Sequence, residues 1–463
     1  MKDKKHPNGY KIIYNRYKQS ILSGALKPSE KVPSIRILAA ELGVAKRTVE
    51  SAYDILIGEG YLITKGAKGT IVNPDLNIKP KIIKTSELKN EEDKDIESLI
   101  SLRDNEGHFR LGVPSLDAFP IKTWLLVSGK AIRSMNASDM TLPHVAGYFP
   151  LRQAIANYVN ISRGVDCDAN QIFITSGYKN SIDLILKTLC SKKDKIVFED
   201  PGYFFGQRLL KRAGFNLHYN PVDSSGLNYD YFKKHHLNAK FVIITPAHQS
   251  PLSVTLSLPR RNSLLNWAKQ KKSWIIEDDY DGEFHYTKKQ IPSLKSLDTN
   301  DRVIYVGTFS KTIMPSIRTS YIVMPKELIT KFLQTSEITE TGQALLPQKI
   351  LANFMNEGHF FKHLKKMRVL YQKRREMVIK AIKKVFPDVF SFEITDGGMH
   401  IVAFLKKGTD DVKLSKSWHA CGLQVIALSH WYSGKNKRYG LVIGFTNIKS
   451  EKEAVSLLQR LHS

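Results

Sequence analysis

Cysteine is scarce in this chain: Cys167, Cys190 and Cys421 are the only three, and they lie far apart. That spacing excludes a disulfide framework and any zinc site of the CxxC type, so no metal centre is expected. Long apolar runs are missing as well. Nothing approaches the ~18 consecutive apolar residues of a membrane helix. The opening string MKDKKHPNGYKIIYNRYK has neither an apolar core nor a small-residue cleavage site. A secretion signal is therefore not predicted, and a cytoplasmic chain with no membrane partner is. Acidic residues are in deficit, 44 against 70 basic ones, for a net charge of +26. Such a surplus favours a polyanionic partner through counterion release from phosphates. Residues 1–78 carry thirteen basic and seven acidic side chains, so most of the surplus lies beyond them. Charge alone makes nucleic acid plausible without locating the contact.

What is present is an ordinary folded composition, with 42% hydrophobic and 25% charged residues over 463 positions. That length predicts two to four domains. No 20–50-residue repeat and no low-complexity tract interrupts it. Three divisions are predicted: a compact module at 10–73, a polar linker at 74–107 with a short helix near 91–102, and a large α/β domain at 108–463. A small lobe is expected from about 375. The linker, fully extended, reaches roughly 110–125 Å.

Residues 10–23, 34–42 and 45–58 read as three helices. Ile13, Tyr17 and Ile21 mark the first. Ser34 is a good N-cap for the second, Ile35, Leu38, Ala39 and Leu42 form its apolar face, and Gly43 ends it. Val49, Tyr53, Leu56 and Ile57 form the buried face of the third, with Lys46, Arg47, Thr48 and Ser51 on the other side. Two helices joined by a short Gly-containing turn read as a helix-turn-helix, whose second helix enters the major groove. YLITKG-AKGTIV then reads as a basic β-hairpin. The strings LSGALKP, VPS-R-LA-EL-V and TV-AY-L-EGYL over residues 20–72 resemble the GntR-type winged helix-turn-helix. The resemblance implies a double-stranded DNA operator as partner, contacted by Arg36, Lys46, Arg47, Thr48 and a wing with Lys65, Lys68 and Gly69. Ala45-Lys46 stands where most members carry Ser-Arg, which removes an N-cap hydroxyl and a fork-shaped donor.

Candidate strands at 171–175, 195–199, 240–245, 273–278, 303–307 and 320–323 alternate with helical stretches at 177–190, 202–213 and 260–270. Apolar β-branched runs of this kind predict a mostly parallel central sheet covered on both faces. Ligands bind such sheets beyond the carboxyl ends of the strands. Lys311 follows one end in TFSKTIMPSIR, with Thr308, Ser310 and Arg318 offering a phosphate clamp. EDDYD follows another, and a carboxylate there could hold a pyridine nitrogen protonated; a surface acidic turn or a metal site is the alternative, the latter without a His or Cys cluster to support it. SGYKNS opens a helix suited to phosphate. DPGY places Tyr203 where it could stack on a planar ligand.

The strings FRLGVPSLDAFPIKTW, GYFPLRQAI, EDPGY, TPAHQSP, IIEDDYDGEFHY and VIYVGTFSKTIMPSIR recur in order over residues 108–463. They resemble the fold type I aminotransferase family. Joined to a GntR-type head, the chain resembles the MocR/GabR group of regulators. The resemblance implies pyridoxal 5′-phosphate on Lys311 as a Schiff base, with Asp278 on the pyridine nitrogen and Tyr280 on the ring hydroxyl. Tyr203 would stack on the ring. Gly177, Tyr178, Lys179, Thr308, Ser310 and Arg318 would hold the phosphate, and His248 or Gln249 would lie near the ring hydroxyl. A head-to-tail homodimer is implied too. Departures from the pattern include Lys179 for Gln, and Ser253, Ser316 and Ser320 for Gly. The α-carboxylate Arg of aminotransferases is replaced by Val442. An Arg that follows Ser in GABA-responsive regulators is replaced by His430, and another after P-G-Y by Phe204 and Phe205. His430 and Arg438 are the candidate effector contacts.

Two functions follow. In the first, a regulator binds DNA and carries pyridoxal phosphate, and a small amine, an amino acid or the cofactor itself alters operator binding at Lys311. In the second, the chain is a working aminotransferase with a fused DNA-binding module. An inert dimerising domain would predict loss of Lys311 or Asp278, and both are present.

Overall fold

The computed structural model describes residues 9–66, 69–76, 107–287, 292–339, 342–406 and 408–461. The helix expected near 91–102, most of the linker and Lys68 lie outside these residues. The chain forms two compact units, divided between residues 101 and 102.

In the first unit, helices α1 (Gly9–Leu22), α2 (Ile35–Leu42) and α3 (Lys46–Gly58) precede strands β1 (Leu62–Thr64) and β2 (Thr70–Val72). The N-cap expected at Ser34 is present, its hydroxyl accepting from the Ile37 amide at 3.4 Å. Gly43 ends α2 at φ 61°. Ala45 caps α3 without a side-chain hydrogen bond, as its methyl dictates. Ile13, Ile21, Leu38, Val49, Tyr53 and Leu56 are buried together. The Tyr53 hydroxyl donates to the Pro33 carbonyl at 2.9 Å and so ties α3 to the lead of α2. Two expectations for the core need correcting. Leu42 is exposed and Ile57 only half-buried, while Ala52 is fully buried. A module this small cannot cover the last turn of every helix. The hairpin is antiparallel, pairing Leu62 with Val72 and Thr64 with Thr70.

The second unit is built on an eight-stranded sheet. Its strands are β3 (Ile172–Thr175), β4 (Lys195–Asp200), β5 (Asn216–Asp223), β6 (Gly226–Leu227), β7 (Phe241–Ile244), β8 (Trp274–Asp279), β9 (Val303–Thr308) and β10 (Ser320–Val323). They run in the order β3-β10-β9-β8-β7-β4-β5-β6. The stretch from β9 to β5 is parallel, and β10 is antiparallel to both neighbours. Alternation explains why nearly every residue of the central strands is apolar. Ile196 and Phe198 of β4 pack on one face with Ile276 and Ile304, and Val197 packs on the other with Ile275 and Val303. All six expected strands are found.

A second sheet, of strands β11 (Ser391–Phe392), β12 (His400–Phe404), β13 (Ile426–Ala427) and β14 (Gly440–Gly444), has the order β11-β12-β14-β13. The 27-residue helix His359–Val385 leads into it. Residues 107–115 lie against it as a strap. His108 bridges to Leu423, and the Phe109 carbonyl accepts from the Gly444 amide at 3.0 Å. This strap then runs to the large sheet, so the small lobe is assembled from both ends of the unit. Among the described residues no helix is long and apolar enough to cross a membrane.

Candidate functional site

The residues singled out in the second unit gather beyond the carboxyl ends of β4, β7, β8 and β9. Lys311 follows β9, half-buried, and its Nζ donates to the Gly112 carbonyl of the strap at 3.0 Å. Gly112 has φ +66°, and a Cβ there would lie 2.0 Å from the lysine nitrogen. Only glycine allows that approach.

β8 supplies the acids. Asp278 is buried, and its carboxyl is pushed well above the usual range by burial, then by Asp279, Asp281 and Glu199; Lys311 acts the other way. Side chains alternate along a strand, so Asp279 points to the opposite face. There it meets Arg163 at 2.6 Å and accepts from the Tyr305 hydroxyl at 2.6 Å. Glu199 is raised to about 7 by burial, although it accepts from the Thr245 amide and hydroxyl. The Tyr280 hydroxyl is buried without a hydrogen bond to the chain, with Ser250 beside it. His248 Nδ1 sits 3.1 Å from Asp281. His248 Nε2 is buried against Gly397, where a Cβ would lie 2.3 Å away.

The clamp residues are likewise together. Thr308 Oγ1 accepts from the Ser310 amide at 3.2 Å and the Ser320 hydroxyl at 2.8 Å. Arg318 donates to the Ser176 carbonyl at 2.8 Å and lies across Gly177. Gly177, at φ +110°, opens the helix Tyr178–Leu189. Tyr178 meets Tyr203 edge to face at 5.6 Å. Lys179 is exposed, its ammonium 5.3 Å from the Phe205 ring centroid.

This donor set fits pyridoxal phosphate. It offers an amine on a main-chain carbonyl, a buried carboxyl, a buried phenol hydroxyl lacking a partner, and a guanidinium with hydroxyls at a helix start. Gln249 lies beside Glu199, and its amide donates to the Pro201 and Ser250 carbonyls at 2.7 and 2.9 Å and accepts from the Leu252 amide at 3.1 Å. Arg438 is spent elsewhere. Its fork grips Glu393 at 2.5 and 3.2 Å and stacks on Phe404, on the surface of the small lobe. His430 lies half-buried in the turn Leu428–Trp431, where Ser429 is tied to Asp411. Val442 is buried opposite Val402.

Gly112, Ser250, Glu199 and Asp279 stand within the quoted strings, but the strings did not reveal their contacts, nor the pairing of Asp279 with Arg163. Asp281 stood in the acidic string but could be paired with His248 only in three dimensions.

In the first unit, Arg36, Lys46, Arg47 and Lys65 are exposed. Thr48 is half-buried, and a Cβ on Gly9 would meet its methyl at 3.2 Å. The Lys65 amide donates to the Gly69 carbonyl at 2.8 Å and closes the wing turn. Lys31, not anticipated, passes over Gly69 and adds a cation there.

Comparison with known proteins matches residues 9–72 to the bacterial regulatory proteins of the gntR family and residues 116–433 to aminotransferase class I and II. The probable rhizopine catabolism regulatory protein MocR of Rhizobium meliloti is 30% identical, over 97% of this chain and 93% of its own length. The pyridoxine biosynthesis transcriptional regulator PdxR of Corynebacterium glutamicum is 31% identical, over 94% of this chain and 91% of its own length. Among solved structures, the kynurenine aminotransferase of Pyrococcus horikoshii superposes with a TM-score of 0.72 at 24% identity, covering 81% of this chain and 94% of that one.

Proposed function

Because this chain belongs to the MocR-type transcriptional regulators, with a GntR head joined to an aminotransferase class I and II domain, we propose that occupancy at Lys311 controls its binding to an operator. Pyridoxal phosphate, when bound, supplies an aldehyde carbon for an amine and a pyridine ring that withdraws electrons. Lys311 Nζ is the amine that holds it. Asp278 would keep a proton at the pyridine nitrogen, Tyr280 would donate to the ring hydroxyl, and Arg318 with Thr308 and Ser310 would hold the phosphate. Tyr203 covers the ring face. An effector amine would compete with Lys311 Nζ for the aldehyde carbon, whereas the cofactor as signal would act by filling or leaving the site. Either shifts the balance between two arrangements of the protein only if it binds them unequally. Two heads of a cytoplasmic homodimer then reach half-sites separated by multiples of roughly 34 Å.

The observation that carries this reading is the intact set of Lys311, Asp278 and Tyr280 in a chain headed by a winged helix-turn-helix. The test is Lys311→Ala. The variant is expected to lose the visible absorption of lysine-bound cofactor, keep operator binding, and lose the response to effector. A full response without Lys311 would sink the proposal. The second reading, a working aminotransferase, also draws on that intact set. Buried Val442 weighs against it, because no guanidinium there can hold an α-carboxylate. Steady multiple turnover of a common amino acid with 2-oxoglutarate would establish it.

A further inference from the structure

The helix His359–Val385 contains ten Lys and Arg residues and one acid, Glu376. Lys362, Lys366, Lys373, Lys380 and Lys384 are all exposed. Their spacings of four, seven, seven and four residues keep them on one face. Twenty-two residues of helix carry the row over roughly 33 Å. Of the five, Lys380 alone forms an ion pair among the described residues, with Glu451 at 3.1 Å. Such a row is poor design for a helix in isolation. Lys362 with Lys366 and Lys380 with Lys384 are like charges at i,i+4, which repel. Lys362 also stands in the first turn of the helix, where the dipole disfavours a cation. A polyanion laid along the face would relieve both.

We propose that this lysine row is a second, sequence-independent contact for duplex DNA, engaging phosphates that flank the operator. The proposal rests on the reading that the chain binds an operator through its head. It also accounts for part of the charge, since ten basic residues and one acid make this helix net +9. Of the net +26, residues 1–78 hold six, and the other twenty lie beyond the winged module that reads sequence. A duplex presents a charge every ~1.7 Å along its axis, so a row of this length spans many phosphates.

The test uses the full chain carrying Lys366→Ala, Lys373→Ala and Lys384→Ala together, all at exposed positions. Binding to a long promoter fragment is measured across a salt series. The slope of log K against log[salt] is expected to fall by about two to three, at ~0.9 per lost phosphate contact. Affinity at fixed salt should fall too, while the ratio of operator to scrambled duplex stays unchanged, because phosphates carry no sequence information. Arg47→Ala, in contrast, should lower that ratio. Unchanged cofactor absorption and circular dichroism verify that the triple variant is folded. An unchanged slope in a wild-type protein that binds its operator overturns the lysine row and leaves the operator reading standing. A wild-type chain that binds no duplex overturns both. Binding of phosphatidylserine vesicles that is lost in the triple variant, with the duplex slope unaltered, also overturns the proposal and points to a membrane surface instead.

Discussion

At the scale of single residues, the site is a crowd of buried acids whose charges are handled in different ways. Asp279 is matched by Arg163, and Asp281 faces His248. Glu199 has neutral donors, from Thr245 and Gln249, and is raised to about 7 by burial. A buried acid raised in the folded state binds its proton more tightly there than in the unfolded chain. Its stabilising contribution is full below the unfolded value of about 4.3 and is lost as pH rises toward about 7. Glu199→Gln keeps an acceptor for Thr245 and removes the titration. The variant is expected to match wild type near pH 4.5 and to exceed it above pH 7 by on the order of 3 kcal/mol. Urea unfolding of the cofactor-free protein at the two pH values measures this, and a gap independent of pH would refute it. Gly112→Ala places a methyl on the Lys311 amine. Loss of cofactor binding, read as visible absorption in a titration with pyridoxal phosphate, is the expected result.

At the scale of elements, two helix starts in the head make opposite predictions. Ser34→Ala removes the cap of α2 and is expected to cost about 1 kcal/mol. Ala45→Ser supplies a hydroxyl that α3 lacks and is expected to add about the same. Calorimetry of the full chain, following the transition of the head, checks both. These elements were legible in the sequence because caps, apolar periodicity and the Gly43 stop all act locally. The six central strands were legible for a related reason: burial on both faces leaves an almost unbroken apolar run. β5 escaped because NLHYNPVD is polar, is largely half-buried or exposed, and contains a proline. The strap at 107–115 escaped because its partners, Leu423, Gly444 and Lys311, lie some two to three hundred residues onward. Lys311, Asp278 and Tyr280 were recognisable from their strings. That Gln249 donates to main-chain carbonyls, and that Arg438 grips Glu393, depends on contacts that no string reveals.

At the scale of the whole molecule, the helix Ile121–Arg133 turns Ile121, Leu125 and Ile132 outward along one side, each more than half exposed. An apolar stripe of this kind fits a second copy of the chain. For the proposed homodimer, Leu125→Glu is expected to shift sedimentation from dimer toward monomer, and a dimer unchanged by it would place the interface elsewhere. The strap sets a limit on how the protein can be cut. The aminotransferase match begins at residue 116, but contacts within that unit already include the His108 bridge. A headless fragment trimmed to the family boundary would lose the edge pairing of the small lobe and the oxygen on which the Lys311 amine rests. Deletion experiments meant to separate regulation from cofactor chemistry must therefore leave residues 107–115 attached, or they will report damage to the pocket as though it were the absence of the head.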